Sequence, residues 1–459
     1  MSRFPWKAWM GAAACTVALG LGASRADAAG VEIPHERYTL PNGMVVILHE
    51  DHASPIVVVD MSYEVGSRFE PKGRTGFAHL FEHLMFMGTR RAPTKAFDAW
   101  MEAVGGWNNA TTSEDRTHYY DVGPPTALDL LLWLEADRLR DLGPMMTKDK
   151  LDAQRDVVRN ERRQQAENTP YGKADLRLPE LLFPVGHPYH HPVYGSHADL
   201  EAATVDDVKA FFATYYDPAN TALVVAGDID PKRARASIDR WMGTIVSKGK
   251  PKDPGAPGFS DTQTTLKTVV RETTEDNVEH AKLVMAWQTP KHFAPGDAEL
   301  DIVSSVLTSG KASRLYKTLV YDKKLAQSVS AEQASGAIGS RFVLEVVARP
   351  GVSLDKIEAE VDAELGKLRD KPISADELAQ AKNQIETGFV RRLESVRGRA
   401  ALLSLYQTST KDSAYAEKDL ERYRRADAAS VKATAAAYLV PGARVIQRIL
   451  PRAQKGGSP

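Results

Sequence analysis

The sequence predicts two similar halves that each mix helices with strands, and three observations carry this expectation. The chain has 459 residues, enough for two domains with separate cores. Val246 to Gly258 is rich in Pro, Gly and Lys without an apolar period, which reads as an interdomain linker over 246–262. Val208, Lys209, Ala210, Tyr215 and Pro218 recur as Val431, Lys432, Ala433, Tyr438 and Pro441 at a constant displacement of 223, each set ending a helix before a strand. The expected layout is a first domain over 29–245 and a second over 263–459.

At the start of the chain, Arg3 and Lys7 precede a charge-free run from Ala8 to Ser24 that ends near Ala26-Asp27-Ala28. This pattern predicts a secretory signal peptide over 1–28 and a periplasmic or secreted product. The run is shorter than the ~20 residues of a membrane span and is Ala/Gly-rich, so no stable membrane anchor is expected. Cys15, the only cysteine, lies inside this segment, leaving the remainder without disulfides or thiolate ligands. Removing Arg3, Lys7, Arg25 and Asp27 takes the 59 basic and 60 acidic residues to 56 and 59, a net charge of −3. Such a balance carries no nucleic-acid signature.

The most informative stretch is His79-Leu80-Phe81-Glu82-His83. Phe77, Leu80, Phe81, Leu84 and Met85 follow the spacing of a buried helical stripe, with Thr75 placed to cap the start and Gly88 the end. The stripe centres almost opposite His79, Glu82 and His83, so that face is free for chemistry. Two His at i and i+4 reach one ion, and Glu82 is close enough to take a proton from water rather than serve as a ligand. A catalytic zinc site needs one further protein ligand. On a second predicted helix, capped by Thr147, Leu151, Gln154, Val158 and Glu161 share one stripe. Glu161 there either meets a cation or pairs with Arg159, Arg162 or Arg163; spacing alone leaves both open. Between the two helices, Trp107 to Ser113 and Thr117 to Tyr120 read as a hairpin around Ser113-Glu114-Asp115. His187, His190, His191 and His197 cluster in a loop rich in Pro, Gly and Tyr, a weak candidate for a second metal site.

Gly76 to Thr89 resembles the extended motif of the pitrilysin and insulin-degrading family of zinc peptidases, to which the mitochondrial processing peptidases also belong, and whose signature is the inverted H-x-x-E-H. Val157-Val158-Arg159-Asn160-Glu161 resembles its third-ligand helix. The resemblance implies one Zn2+ per chain on His79, His83 and Glu161, with Glu82 as general base in peptide-bond hydrolysis. It also implies an exposed edge strand that receives the substrate backbone at Asn109, Ala110 and Thr111, so that extended, unfolded peptides are the substrates. Gln154 departs from the family, many of whose members carry a second Glu there. The implied fold is α+β: two homologous α/β-roll domains forming half of a clam-like chamber, with strands at Met44 to Leu48, Ile56 to Tyr63 and Ala222 to Val225. Glu299 to Tyr316, equivalent to the motif helix, contains no His, so only the first half carries the metal.

Family members that act as a complete unit bring an Arg and a Tyr from the second half. Here the equivalent stretch is Leu319 to Gln327, where Val320 and Gln327 cannot do that work. Two arrangements follow. In one, this chain is the metal-bearing subunit of a heterodimer whose homologous partner supplies the Arg and Tyr; in the other, Arg314, Tyr316 or Tyr321 substitutes and a homodimer is active. Two other classes share part of this pattern. A lyase of the S-ribosylhomocysteine type also uses H-x-x-E-H but completes its site with a Cys, which the chain beyond its leader lacks. A noncatalytic scaffold or peptide-binding subunit would show a broken metal set, whereas all four positions are intact.

Overall fold

Eleven strands form two sheets, one from each half of the sequence, in a computed structural model that describes residues 30–255 and 265–452. The expected signal peptide and linker positions 256–262 lie outside the described residues. The first sheet contains β1 (Glu36–Thr39), β2 (Val45–Glu50), β3 (Val57–Tyr63), β4 (Trp107–Thr112), β5 (Thr117–Gly123) and β6 (Thr221–Gly227), in the order β1-β2-β6-β3-β5-β4. The second contains β7 (Val270–Asp276), β8 (Lys282–Thr289), β9 (Ala326–Ala334), β10 (Ser340–Ala348) and β11 (Val445–Pro451), in the order β7-β11-β8-β10-β9.

Without β1, the two orders superpose strand for strand. The directions agree as well: β2 with β6 and β7 with β11 run parallel, and all the other neighbours are antiparallel. The repeat read at a displacement of 223 falls on the equivalent helices Val205–Tyr215 and Ala428–Tyr438, each leading into an equivalent interior strand of its sheet, β6 and β11. The fold is therefore a two-domain α+β architecture with open sheets.

Every residue of β3 and β6 is buried, because both faces of the first sheet are covered. Val57, Val59, Met61 and Tyr63 point into a core shared with the helices Phe77–Leu84, Leu128–Asp141 and Val205–Tyr215. Asp60 and Ser62 point to the other face, where each has a partner: Asp60 meets His118 Nε2 at 2.5 Å, and Ser62 Oγ meets Ser404 Oγ at 2.7 Å. Ser404 belongs to the helix Val396–Thr410, which packs across β3 and β6 although it lies in the second half of the sequence. The exchange is mutual. Helix Gly172–Leu182, from the first half, lays Ala174, Leu178 and Leu182 on Val284, Ala286, Val445 and Ile449, the outer face of the second sheet.

From Glu32 onward the chain forms one compact unit, and among the described residues no helix is long and apolar enough to cross a membrane. The described part of the linker is held to the first half. Arg68 donates to both carboxylate oxygens of Asp253 at 2.6 and 2.7 Å, and Lys250 pairs with Glu64 at 2.7 Å.

Candidate metal centre

The motif helix spans Phe77–Leu84. Its apolar stripe is fixed by an aromatic cluster from Val205–Tyr215 and its end: Phe81 lies 5.4 Å from Phe211, 5.7 Å from Phe212 and 4.7 Å from Tyr216. Packing on that side leaves His79, Glu82 and His83 on the opposite face, as the spacing requires.

The start of this helix differs from the sequence expectation. Thr75 does not cap it; its hydroxyl donates to Asp199 at 2.5 Å, and its backbone N–H donates to the same carboxylate at 3.0 Å. The free amides are taken instead by Glu70, which accepts from Gly76 N–H at 2.9 Å and Ala78 N–H at 2.7 Å. Gly76 adopts φ = +91°, which swings Thr75 away from the helix axis. Burial pushes the Glu70 carboxyl well above the usual range, against the opposing effect of these amides. The end differs too. The helix stops at Leu84, and Gly88, at φ = +75°, turns the chain only after a further loose turn.

Thr147 does cap the second helix, Lys148–Glu161, accepting from Lys150 N–H at 3.4 Å. Leu151 and Val158 are buried and anchor it, while Arg155 donates to Leu200 O at 2.9 Å and Ala203 O at 2.7 Å. Immediately after Glu161 the helix widens into a π-helical turn, Arg162–Glu167, a distortion often found at functional positions. The neighbouring arginines are engaged elsewhere: Arg159 with Glu201, Arg162 with Glu167 and Arg163 with Asn160. Glu161 turns to the histidines instead, its oxygens lying 3.0 Å from His83 Nε2 and 3.6 Å from His79 Nε2.

These three side chains can each offer one ligand atom within 4.8 Å of the others, the one such group of His, Cys, Asp or Glu found among the described residues. Tetrahedral zinc with bonds of ~2.1 Å separates its ligand atoms by about 3.4 Å, so two imidazole nitrogens and a carboxylate oxygen at these spacings fit it. Burial, helped by His83, lowers His79 to about 4, which keeps its lone pair free for a metal at neutral pH. The bond with His83 draws Glu161 below the usual carboxylate range. Glu82 moves the other way. Burial raises it, opposed by the Thr112 hydroxyl that donates to Glu82 Oε2.

Thr112 ends β4, which lies at the edge of the first sheet, as the family resemblance implies. Asn109 Oδ1 accepts the Ala110 N–H at 2.8 Å, and Trp107, Asn109 and Thr111 are exposed. Between β4 and the motif helix is a cleft of about 510 Å³, bounded by Glu82, His83, Phe86, Met87, Gln154 and Asn108 to Ala110. Gln154 donates to Met87 Sδ at 2.8 Å rather than to a histidine.

The loop histidines have local work. His187 stacks on Phe183 at 4.6 Å, His190 Nδ1 lies 2.7 Å from Phe183 O, His191 is 3.6 Å from Glu70, and His197 is 2.9 Å from Glu167. Sequence reasoning passed over Tyr194 in the same loop, whose ring sits 5.0 Å from that of His79 at 80°. Glu70 was also passed over; its six-residue lead over Gly76 has no recognisable cap spacing.

In the second half, helix Asp297–Thr308 begins after Gly296 at φ = +97°, the counterpart of Gly76. Counting from these glycines, His79, Glu82 and His83 correspond to Glu299, Ile302 and Val303, and the last two are completely buried apolar residues. Arg314 is tied to both oxygens of Glu377 at 2.6 and 2.9 Å, whereas Tyr321 is 73% exposed.

Residues 45–181 match the family profile "Insulinase (Peptidase family M16)", and residues 202–385 match "Peptidase M16 inactive domain". The chain is 30% identical over 373 residues to "Zinc protease PqqE" of Helicobacter pylori, covering 81% of this chain and 83% of that protein. The chain belongs to peptidase family M16. Among solved M16-like folds, a protease from Helicobacter pylori superposes with a TM-score of 0.85 at 26% identity, covering 92% of this chain and all of that one. The M16 inactive domain from Pseudomonas fluorescens gives 0.81 at 18%. The periplasmic protease PqqL of Escherichia coli gives 0.76 at 18%, with 94% of this chain matched to 50% of that chain.

Proposed function

We propose that this M16 chain is an exported zinc metalloendopeptidase that hydrolyses peptide bonds in peptides or unfolded polypeptides. The convergence of His79, His83 and Glu161 from two helices, with Glu82 beside them, carries the reading. His79, His83 and Glu161 would hold the zinc, which supplies Lewis acidity that makes water nucleophilic near neutral pH. Glu82 accepts the proton of the attacking water and returns it to the leaving amine; its raised affinity for protons suits both tasks. Thr112 aims that carboxylate. An extended peptide joins β4 as a further strand, its carbonyl taking over the Ala110 N–H from Asn109, while Ala110 and Thr111 set the register.

The chain works as the metal-bearing subunit of a dimer. Arg314 is committed to Glu377, and Val320 and Gln327 offer neither a cation nor a phenol, which favours a homologous partner that supplies Arg and Tyr. PqqL, about twice as long, contains the matched fold within half of its chain, which supports a paired arrangement. The test is to purify the chain, measure bound zinc, and assay an unstructured peptide with and without a homologous partner chain. One zinc per chain, with cleavage that needs the partner, is expected. Robust zinc-dependent cleavage by the chain alone would make it a self-sufficient homodimer. Absence of zinc after loading would leave the scaffold or peptide-binding reading.

A further inference from the structure

We infer that Tyr194 is a positioning residue for the metal ligand His79, fixing its imidazole by edge-on packing where metal-binding histidines ordinarily rely on a hydrogen bond. The inference rests on the zinc reading above. A ligating histidine usually donates its second ring N–H to a carboxylate, carbonyl or water, which sets its orientation. His79 turns Nε2 toward Glu161, and its Nδ1 is buried with no hydrogen-bond partner among the described residues. The ring is held by its neighbours instead. His83 stands 4.8 Å away at 77° on one contact and Tyr194 5.0 Å away at 80° on another, both edge-to-face arrangements.

Such a contact orients the imidazole only if Tyr194 is itself immobile, and its backbone is pinned from several directions. Tyr194 O lies 2.8 Å from where a Cβ on Gly76 would stand, so the loop touches the start of the motif helix. Gly195, at φ = +61°, has no room for a side chain against the Thr75–Gly76 backbone. Ser196 N–H donates to Thr75 Oγ1 at 3.0 Å, and the Arg162 guanidinium donates to Gly195 O. Arg162 directly follows Glu161, so the same loop ties the two ligand-bearing helices together.

The experiment compares zinc affinity of the full chain and its Tyr194→Phe, Tyr194→Leu and Tyr194→Ala variants by competition with a coloured chelator, with metal-free unfolding measured alongside. Tyr194→Phe keeps the ring and is expected to bind zinc within about threefold of the parent. Tyr194→Ala and Tyr194→Leu are expected to bind about 10–100-fold more weakly, the usual loss when a ligand's support is removed. A weakening in Tyr194→Leu without matching loss of metal-free stability separates positioning from bulk packing. Parent-like zinc affinity in a folded Tyr194→Leu or Tyr194→Ala overturns the inference, as does equal weakening in Tyr194→Phe, which would assign the effect to the hydroxyl. A parent chain that binds no zinc sinks the metal reading itself, a distinct result.

Discussion

Replacing Gly76 by Ala should destabilise the chain more than the same change at Gly73, three residues earlier. Both glycines have positive φ, +76° at Gly73 and +91° at Gly76, so each alanine pays the same left-handed penalty of roughly 1–2 kcal/mol. Each also gains about 0.4–1 kcal/mol from a less flexible unfolded chain. Those effects cancel between the two variants. Space does not, since a Cβ at Gly73 meets nothing within 4 Å, whereas one at Gly76 would stand 2.8 Å from Tyr194 O and 3.0 Å from Leu200 Cδ2. The obstacle at Tyr194 is backbone, held by Gly195 and Ser196, and cannot swing aside. Overpacking of that kind costs about 1–3 kcal/mol, which is the expected gap between the variants. Urea unfolding of the metal-free proteins followed by circular dichroism reads that gap, and zinc affinity should fall only for Gly76→Ala because its helix carries three site residues. Equal stabilities within ~0.5 kcal/mol would refute the argument that close approach, rather than φ alone, requires glycine here.

Further outcomes follow from the same geometry. Glu82→Gln should keep zinc and lose about 10²–10⁴-fold in turnover of an unstructured peptide; near-parent turnover would show that another group is the base. Thr112→Val removes a donor that favours the charged form of Glu82, so its pKa rises further and the acid limb of the kcat/KM profile moves to higher pH. An unmoved limb would mean that Thr112 does not aim or tune the carboxylate. Stripping zinc with a chelator should lower the melting temperature, since free zinc at 100 times its Kd contributes ~2.7 kcal/mol. Asp301 is pushed up to about 7, chiefly by burial and then by Asp297, so the folded state binds its proton more tightly than the unfolded chain does. Its contribution to stability is then greatest in acid and is lost as pH rises from the ordinary aspartate range toward 7; Asp301→Asn should flatten that decline in a stability–pH curve.

The motif helix, the Thr147 cap, the hairpin and the 223-residue repeat could be read in the sequence because each is a local or periodic pattern, whereas the edge position of β4 followed only from the family resemblance. The helix start was misread for a physical reason: Thr75 sits at ordinary capping distance, but the capping oxygens come from Glu70 across a turn that only the positive φ of Gly76 permits. Glu161 was ambiguous because three arginines lie within its reach in sequence; their partners Glu201, Glu167 and Asn160 emerge only from tertiary packing and the π-helical turn. Amphipathic spacing likewise says that the helices Gly172–Leu182 and Val396–Thr410 have apolar sides, but not which sheet each will cover. Nor does spacing show that a tyrosine in a histidine-rich loop faces His79 while those histidines bond within their own neighbourhood.

The mutual trade of cladding helices makes the halves thermodynamically inseparable. Separating the halves at the Pro/Gly-rich connector would strip the first sheet of the helix Val396–Thr410 and the second of Leu178 and Leu182, leaving each fragment with an uncovered sheet face. The two equivalent halves thus cannot part company, and fragments made separately should be insoluble unless they are synthesised together.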